Sequence, residues 1–421
     1  MLSIFEIAAS LLALSAFFGW INHVFVQLPH TIGLLAMALV SSVVLLLAEW
    51  IWPALGVTDA VQLAISQIDF FATVMEGMLA FLLFAGALHV DFDFLRDQKW
   101  AIGVMASFGV VLSTAIVGTG FWFLSGLLGL QIPYAWALVF GALISPTDPV
   151  AVLSLLKSIN VPHSLEAKIA GESLFNDGVG VVVFTILLAV ALQSGLENEG
   201  IDFLHVGELF FVEALGGAVL GLVTGWLAYK AMSYMDEYTL EILISLGVVA
   251  ATYAIAIRLH ISGPIAVVMT GLLVGNRGVR VGMSENTQKH LFGFWELIDE
   301  ILNSVLFLLI GLEVLVLTLD PSSGWLVLAS IPLVLSARLV SVSLPISILS
   351  FWLHFTKGAI PVLTWGGLRG GISVALALSL PDNEYKPVIL SATYGVVLFS
   401  IFVQGLSVKA LINRTVDPTL L

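Results

Sequence analysis

Glu172, Ser173, Asn176 and Asp177 stand within two helical turns of one another, in the run Gly171-Glu172-Ser173-Leu174-Phe175-Asn176-Asp177-Gly178 that leads into the apolar stretch Val179 to Ile186. On a helix, Ser173 and Asp177 stack on one face while Glu172 and Asn176 stack on the adjacent one. The set offers two carboxylates and two neutral oxygens. Hard monovalent cations take oxygen ligands, and a carboxylate that binds one has to be deprotonated, so a cation and a proton compete for the same group. A polar seam between helices is the plainer account of the same residue types.

Two further groups of residues predict irregular backbone. Ser145-Pro146-Thr147-Asp148-Pro149 sets two prolines around polar residues, and each proline lacks an N–H donor and crowds the preceding turn, so a helix should break here. A break frees carbonyl oxygens, good ligands for a hard cation, and in a membrane it is tolerated only where the backbone lines a cavity or is buried in protein. The alternative is a packing kink with Asp148 capping the second half-helix. Downstream, Trp365-Gly366-Gly367-Leu368-Arg369-Gly370-Gly371 places four glycines around one guanidinium and predicts a second irregular stretch. Arg369 needs an acidic partner there, and Glu172 is the expected one; satisfying carbonyls of an interrupted helix is the other role open to it.

These residues stand out because the rest of the chain is so apolar. Of its 421 residues 59% are hydrophobic and 10% charged, with a mean hydropathy of +1.07, where a soluble domain carries about 25% charged residues. A soluble multi-domain enzyme is excluded. The formal net charge is −14 with no basic cluster, which argues against a nucleic-acid partner, and the absence of cysteine excludes disulfides and thiolate chemistry. An ionisable group near mid-bilayer costs at least about 2.5 kcal/mol, so Glu76, Asp148, Glu172, Asp177, Arg338 and Arg369, all within apolar stretches, are functional candidates by default.

A membrane-crossing helix needs about 20 predominantly apolar residues. Thirteen stretches fit: 4–25, 32–48, 70–90, 101–128, 133–156, 167–192, 203–232, 240–257, 264–274, 291–319, 325–350, 359–380 and 387–411. The eighth and ninth are separated only by Arg258 to Gly263, so twelve is the alternative count. With thirteen spans, eleven Lys and Arg fall on one side, from Arg96 to Arg414, against Arg258 and Lys386 on the other. Positive residues collect in cytoplasmic loops, which puts the C-terminus in the cytoplasm and the N-terminus outside. The first stretch lacks a basic n-region and a cleavage site and reads as a retained span. Connections are too short for a soluble domain, so residues 1–421 form one all-α polytopic membrane domain. An odd count fits two inverted six-helix repeats plus a linking span, an arrangement that brings a substrate site to the bilayer midplane.

Four blocks, in order, carry a family resemblance: Thr147-Asp148-Pro149-Val150-Ala151-Val152; Glu172-Ser173 with Asn176-Asp177-Gly178; Gly263-Pro264 with Gly271-Leu272-Leu273-Val274-Gly275-Asn276; and Gly366-Gly367-Leu368-Arg369-Gly370-Gly371. Together they resemble the monovalent cation:proton antiporters of the NhaP/NHE type over nearly the whole chain. The resemblance implies an NhaA-like antiporter fold with interrupted helices five and twelve crossing at the ion site, and a homodimer in which each protomer has a dimerisation part and a core from about 99–192 and 325–412. It implies elevator-like alternating access. By the same resemblance Asp177 is the central carboxylate for Na+ and H+, assisted by Ser173, Asp148 and the carbonyl of Thr147; Glu172 and Arg369 form a supporting ion pair; and Glu76 matches an acidic residue that the third span contributes in some members. Asn176 stands where electrogenic relatives carry a second aspartate, which points to electroneutral exchange of one cation for one proton.

The expected function is therefore Na+/H+ antiport in the cell membrane, with Li+ as a further substrate and no cofactor beyond the transported ions. A K+/H+ antiporter of the same fold stays open, since oxygen ligands alone do not choose the cation, and so does a cation channel, since polar groups at broken helices also line pores. An intramembrane hydrolase is disfavoured by the lack of an HExxH motif and of a histidine beside Ser173.

Overall fold

Apolar stretches of this length become helices because hydrocarbon offers no partner to a free N–H or C=O, so each segment pairs its own backbone. The computed structural model describes residues 3–51, 68, 70–90, 92–148, 163–193, 203–278, 283–315, 324–352, 355 and 358–415. Its first half contains α1 (Ile4–Ile21), α2 (His30–Ile51), α3 (Leu79–Leu88), α4 (Phe92–Ala106), α5 (Phe108–Leu127), α6 (Tyr134–Ile144), α7 (His163–Gln193) and α8 (Phe203–Met232). The second half contains α9 (Tyr238–Arg258), α10 (Gly263–Leu273), α11 (Glu285–Glu313) and α12 (Gly324–Leu349), then the shorter α13 (Ala359–Trp365), α14 (Gly371–Leu378), α15 (Lys386–Phe399) and α16 (Leu406–Thr415). Wider π-turns interrupt or extend this series at Asn22–Val26, Ala72–Met78, Val274–Gly278 and Ser400–Gly405.

Among the described residues eight helices are long and apolar enough to cross a membrane, with shorter apolar helices at Ala72–Leu88, Tyr134–Ile144 and Gly263–Asn276. The expected fifth span runs as a helix only to Ile144, and its second half, with Pro149 to Val152 and Lys157, lies outside the described residues. The twelfth is split into α13 and α14. The tenth begins earlier than its apolar run, at Glu285, because the Ser284 hydroxyl accepts the Thr287 N–H at 3.3 Å and caps two polar turns that hydropathy alone leaves out. Residues 316–319 of that span, Arg280 and Lys357 lie outside the described residues.

Two groups of helices pack chiefly among themselves. In one, α5 lies against α6 and α12, α7 against α4 and α6, and α15 against α12 and α14. In the other, α10 lies against α8, α9 and α3, and α11 against α2 and α3. Helices in lipid gain little from hydrophobicity when they associate, so close approach at small residues matters more. Gly141 shows this, since a Cβ there would fall on the Thr114 carbonyl of α5. Exposed Trp50, Trp325 and Trp352 sit at or beside helix ends, the position at which amphipathic rings suit a membrane surface.

Candidate functional site

The interruption after Ile144 and the one after Trp365 meet. Pro146 lacks an N–H to continue α6, and a residue that precedes a proline, as Asp148 does in the sequence, disfavours the helical region. The Asp148 N–H donates instead to the Leu368 carbonyl at 2.8 Å in an isolated antiparallel bridge. The Leu368 side needs glycine next door. A Cβ on Gly370 would land on the Asp148 carboxyl group. The two breaks thus satisfy part of each other's backbone inside the protein, the condition under which irregular chain is tolerated at membrane depth.

Helix α7 passes beside this crossing and holds it. Asn176 acts as a clamp: its Oδ1 accepts the Thr147 N–H at 3.2 Å and its Nδ2 donates to Thr147 Oγ1 at 2.7 Å. Ser173 Oγ lies 2.9 Å from the same Thr147 Oγ1. All of these groups are buried, and Asn176 is fully so. Upstream, the Ser145 hydroxyl donates to the Gly141 carbonyl at 2.7 Å and lies 2.9 Å from Ser113 Oγ, which ties the end of α6 to α5.

Asp177, one turn beyond Ser173, is 4% exposed, and its Oδ1 has no hydrogen-bond partner. Its charged neighbours are Asp148 and Arg369. A buried carboxylate oxygen left unpartnered beside a second carboxylate is a poor structural element and a good cation ligand.

The ion pair differs from expectation. Glu172 is bonded not to Arg369 but to Arg338 of α12, at 2.5 Å from NH1 to Oε1 and 2.7 Å from NH2 to Oε2, a two-pronged pair with both residues buried. Arg338 also donates from Nε and NH2 to the Leu363 carbonyl at 3.3 and 3.2 Å. That carbonyl is in the last turn of α13, where the helix itself supplies no donor. The planar guanidinium fork matches a carboxylate and an orphan carbonyl together, so it joins α7, α12 and the break in one contact. Arg369 is held at its own interruption instead: its N–H donates to Ser400 Oγ at 2.9 Å, its NH1 to the Gly367 carbonyl at 3.3 Å, and its Nε has no partner. It took the carbonyl-satisfying role and remains in electrostatic reach of Glu172 and Asp177.

The structure therefore brings Thr147, Ser173, Asn176, Asp177 and Arg369, all buried, together with the half-buried Asp148. Glu76 is not bonded into it. It is exposed on the π-turn Ala72–Met78, a turn that abuts α14 and whose Met75 carbonyl accepts the Tyr253 hydroxyl at 2.5 Å. Arg338 was visible in the sequence as an intramembrane cation, but nothing there paired it. Ser400 and Gln404 were missed altogether. Both belong to the π-turn Ser400–Gly405, where Gln404 Nε2 donates to the Trp365 carbonyl at 2.9 Å, and the only available signal was a polar side chain within an apolar run.

Comparison with known proteins decides the family. The sodium/hydrogen exchanger transmembrane family matches residues 4–414. The chain belongs to that family. A Pseudomonas aeruginosa protein named Na+/H+ antiporter NhaP is 45% identical over 417 residues, 97% of this chain and 96% of the relative. A Halobacillus dabanensis protein named Na+/H+ antiporter NhaH is 37% identical over 86% of this chain and 87% of its own length. The solved structure of the sodium proton antiporter MjNhaP1 from Methanocaldococcus jannaschii superposes with a TM-score of 0.72 over 97% of both chains at 19% identity, a likeness of fold. This member of the exchanger family is a multi-pass membrane protein of a transporter family, not an enzyme.

Proposed function

We propose that the protein exchanges Na+ for H+ across the cell membrane, one for one, with the two ions competing for Asp177. The observation that carries this reading is the unpartnered Asp177 oxygen at the meeting point of two broken helices. Charge balance supports the stoichiometry. The Glu172–Arg338 pair is neutral by itself, and Asp148, Asp177 and Arg369 sum to a single negative charge. A buried site is most easily carried through a membrane when neutral, and either one monovalent cation or one proton achieves that. Both loaded forms are then electrically alike.

In the same reading, Ser173, Asp148 and the Thr147 carbonyl complete the cation's oxygen shell, and Glu76, in the other helix group, comes within reach of the site as the core moves. Asn176 keeps Thr147 in place, a task its amide performs without adding charge. The thirteen-span, inverted-repeat arrangement assigns residues of about 99–192 and 325–412 to a moving core and the rest to a dimerisation part. Elevator-like displacement of that core in a homodimer gives alternating access. The distribution of Lys and Arg orients the N-terminus outside and the C-terminus in the cytoplasm. Li+, a smaller hard cation, is expected to be carried as well.

The test is flux in proteoliposomes with Na+, Li+ and K+ in turn, under an imposed membrane potential and without one. Na+-driven proton movement insensitive to voltage is expected; a rate that follows voltage would overturn the one-for-one exchange, and conductance far above proton-coupled flux would make the protein a channel. A second expectation concerns the crossing. Gly370→Ala forces a methyl group onto Asp148 and should slow exchange at least about tenfold, equivalent to about 1.4 kcal/mol. Unaltered rates in that variant would mean that the two breaks separate freely.

A further inference from the structure

Glu313 is the last residue of α11 and is 9% exposed. Among the described residues it has neither an ion pair nor a hydrogen bond, and the last turn of α11 contains no basic residue. This is an unfavourable position for an anion, because the closing carbonyls of a helix already make that end negative. The carboxylate is also desolvated, which adds to the cost. Within electrostatic reach of it is Tyr394 of α15, 2% exposed, whose hydroxyl is buried without a hydrogen-bond partner.

The chain directions show where this pair sits. Leu306, two turns before Glu313 on the same face of α11, packs against Gly371, the first residue of α14 after the Arg369 interruption. Glu313 is thus roughly 10 Å further along the axis from that contact. Tyr394 precedes Ser400, the residue bonded to Arg369, by about 9 Å of helix. Helix α14 leads from the break towards residues 379–385, and α15 returns from them, so Tyr394 lies between the break and that face. The pair lies on the seam between the two helix groups, α11 from one and α15 from the other.

We propose that Glu313 and Tyr394 form a second binding site for a monovalent cation, between the Asp177 region and the face bearing residues 379–385. It supplies a carboxylate, a phenol oxygen and the negative end of a long helix, an oxygen donor set suited to a hard cation and lacking any competing positive side chain among the described residues. Its use in transport rests on the function proposed above; its ability to bind Na+ does not.

Binding is tested in the full-length protein in detergent by Na+-dependent thermal stabilisation, with choline matching the ionic strength. In the Asp177→Asn background a residual Na+-specific shift is expected. It should vanish on adding Glu313→Gln and shrink on adding Tyr394→Phe, which keeps the ring and its packing. No residual shift, or one that survives Glu313→Gln, overturns the site. In proteoliposomes, Glu313→Gln with residue 177 intact should raise the KM for Na+ about fivefold and leave kcat within about twofold, the pattern of lost ground-state binding. A merely structural role would lower the melting temperature and leave KM unmoved. Failure of the exchange reading appears separately, as wild-type protein that carries no Na+-coupled protons.

Discussion

Asp177→Asn is expected to abolish Na+-driven proton movement in proteoliposomes, a loss of at least about a hundredfold, or about 2.7 kcal/mol of transition-state stabilisation. The substitution keeps the size and shape of the side chain and removes its charge and its titratable proton. Because Oδ1 makes no hydrogen bond, no bond of that oxygen is lost, and relief of a desolvated charge beside Asp148 offsets the lost attraction to Arg369, so melting in detergent should stay close to that of the wild type or rise slightly. The combination separates a transport role from a folding one. An Asp177→Asn protein that still exchanges ions at the wild-type rate would remove this carboxylate from the mechanism. Ser173 and Asn176, by contrast, are spent on Thr147, so their removal loosens the crossing before it touches charge.

The largest effect on stability is expected at Arg338. Arg338→Met leaves Glu172 buried and ionised without its two-pronged partner and also frees the Leu363 carbonyl. Breaking a buried pair by removing one member costs about 3–5 kcal/mol, while replacing both members by neutral residues of similar volume costs much less. The double variant Glu172→Gln/Arg338→Met should therefore recover more than half of the loss in melting temperature. Additive effects in that cycle would contradict a direct pair. Arg369→Ala is a control with a different signature. It leaves the Glu172–Arg338 contact in place, so its stability loss should be smaller than that of Arg338→Met. Its effect on exchange should be larger, since Arg369 contributes one of the charges facing Asp177.

How far the fold and site could be read from the sequence depends on the kind of force involved. Local chemistry was legible. Pro146 and Pro149 forbid a regular helix at Ser145–Asp148, and the glycines around Arg369 permit the second interruption; both appear where expected. The clustering of Ser173, Asn176 and Asp177 follows from helical spacing alone. Span limits were legible where hydropathy decides them, as at α8 (Phe203–Met232), and misplaced where a cap does, as at Ser284 before α11.

Partner choice was not legible. Two arginines and several carboxylates inside one membrane domain allow more than one neutral pairing. Charge counting assigned Glu172 to Arg369, yet α12 lies against α5 and α13 so that Arg338 reaches both Glu172 and the Leu363 carbonyl. The π-turn that turns Ser400 and Gln404 towards the second break is likewise set by packing, since its residues carry no backbone signature in the sequence. By itself, then, the amino-acid order determined that this chain lives in lipid, where it must break and which ionisable residues are costly to hold there, because each follows from the cost of a single residue in its local setting. Only the tertiary structure decided which charge answers which and that the two breaks bond to each other through Asp148 and Leu368, because those outcomes depend on distances between helices far apart in the chain.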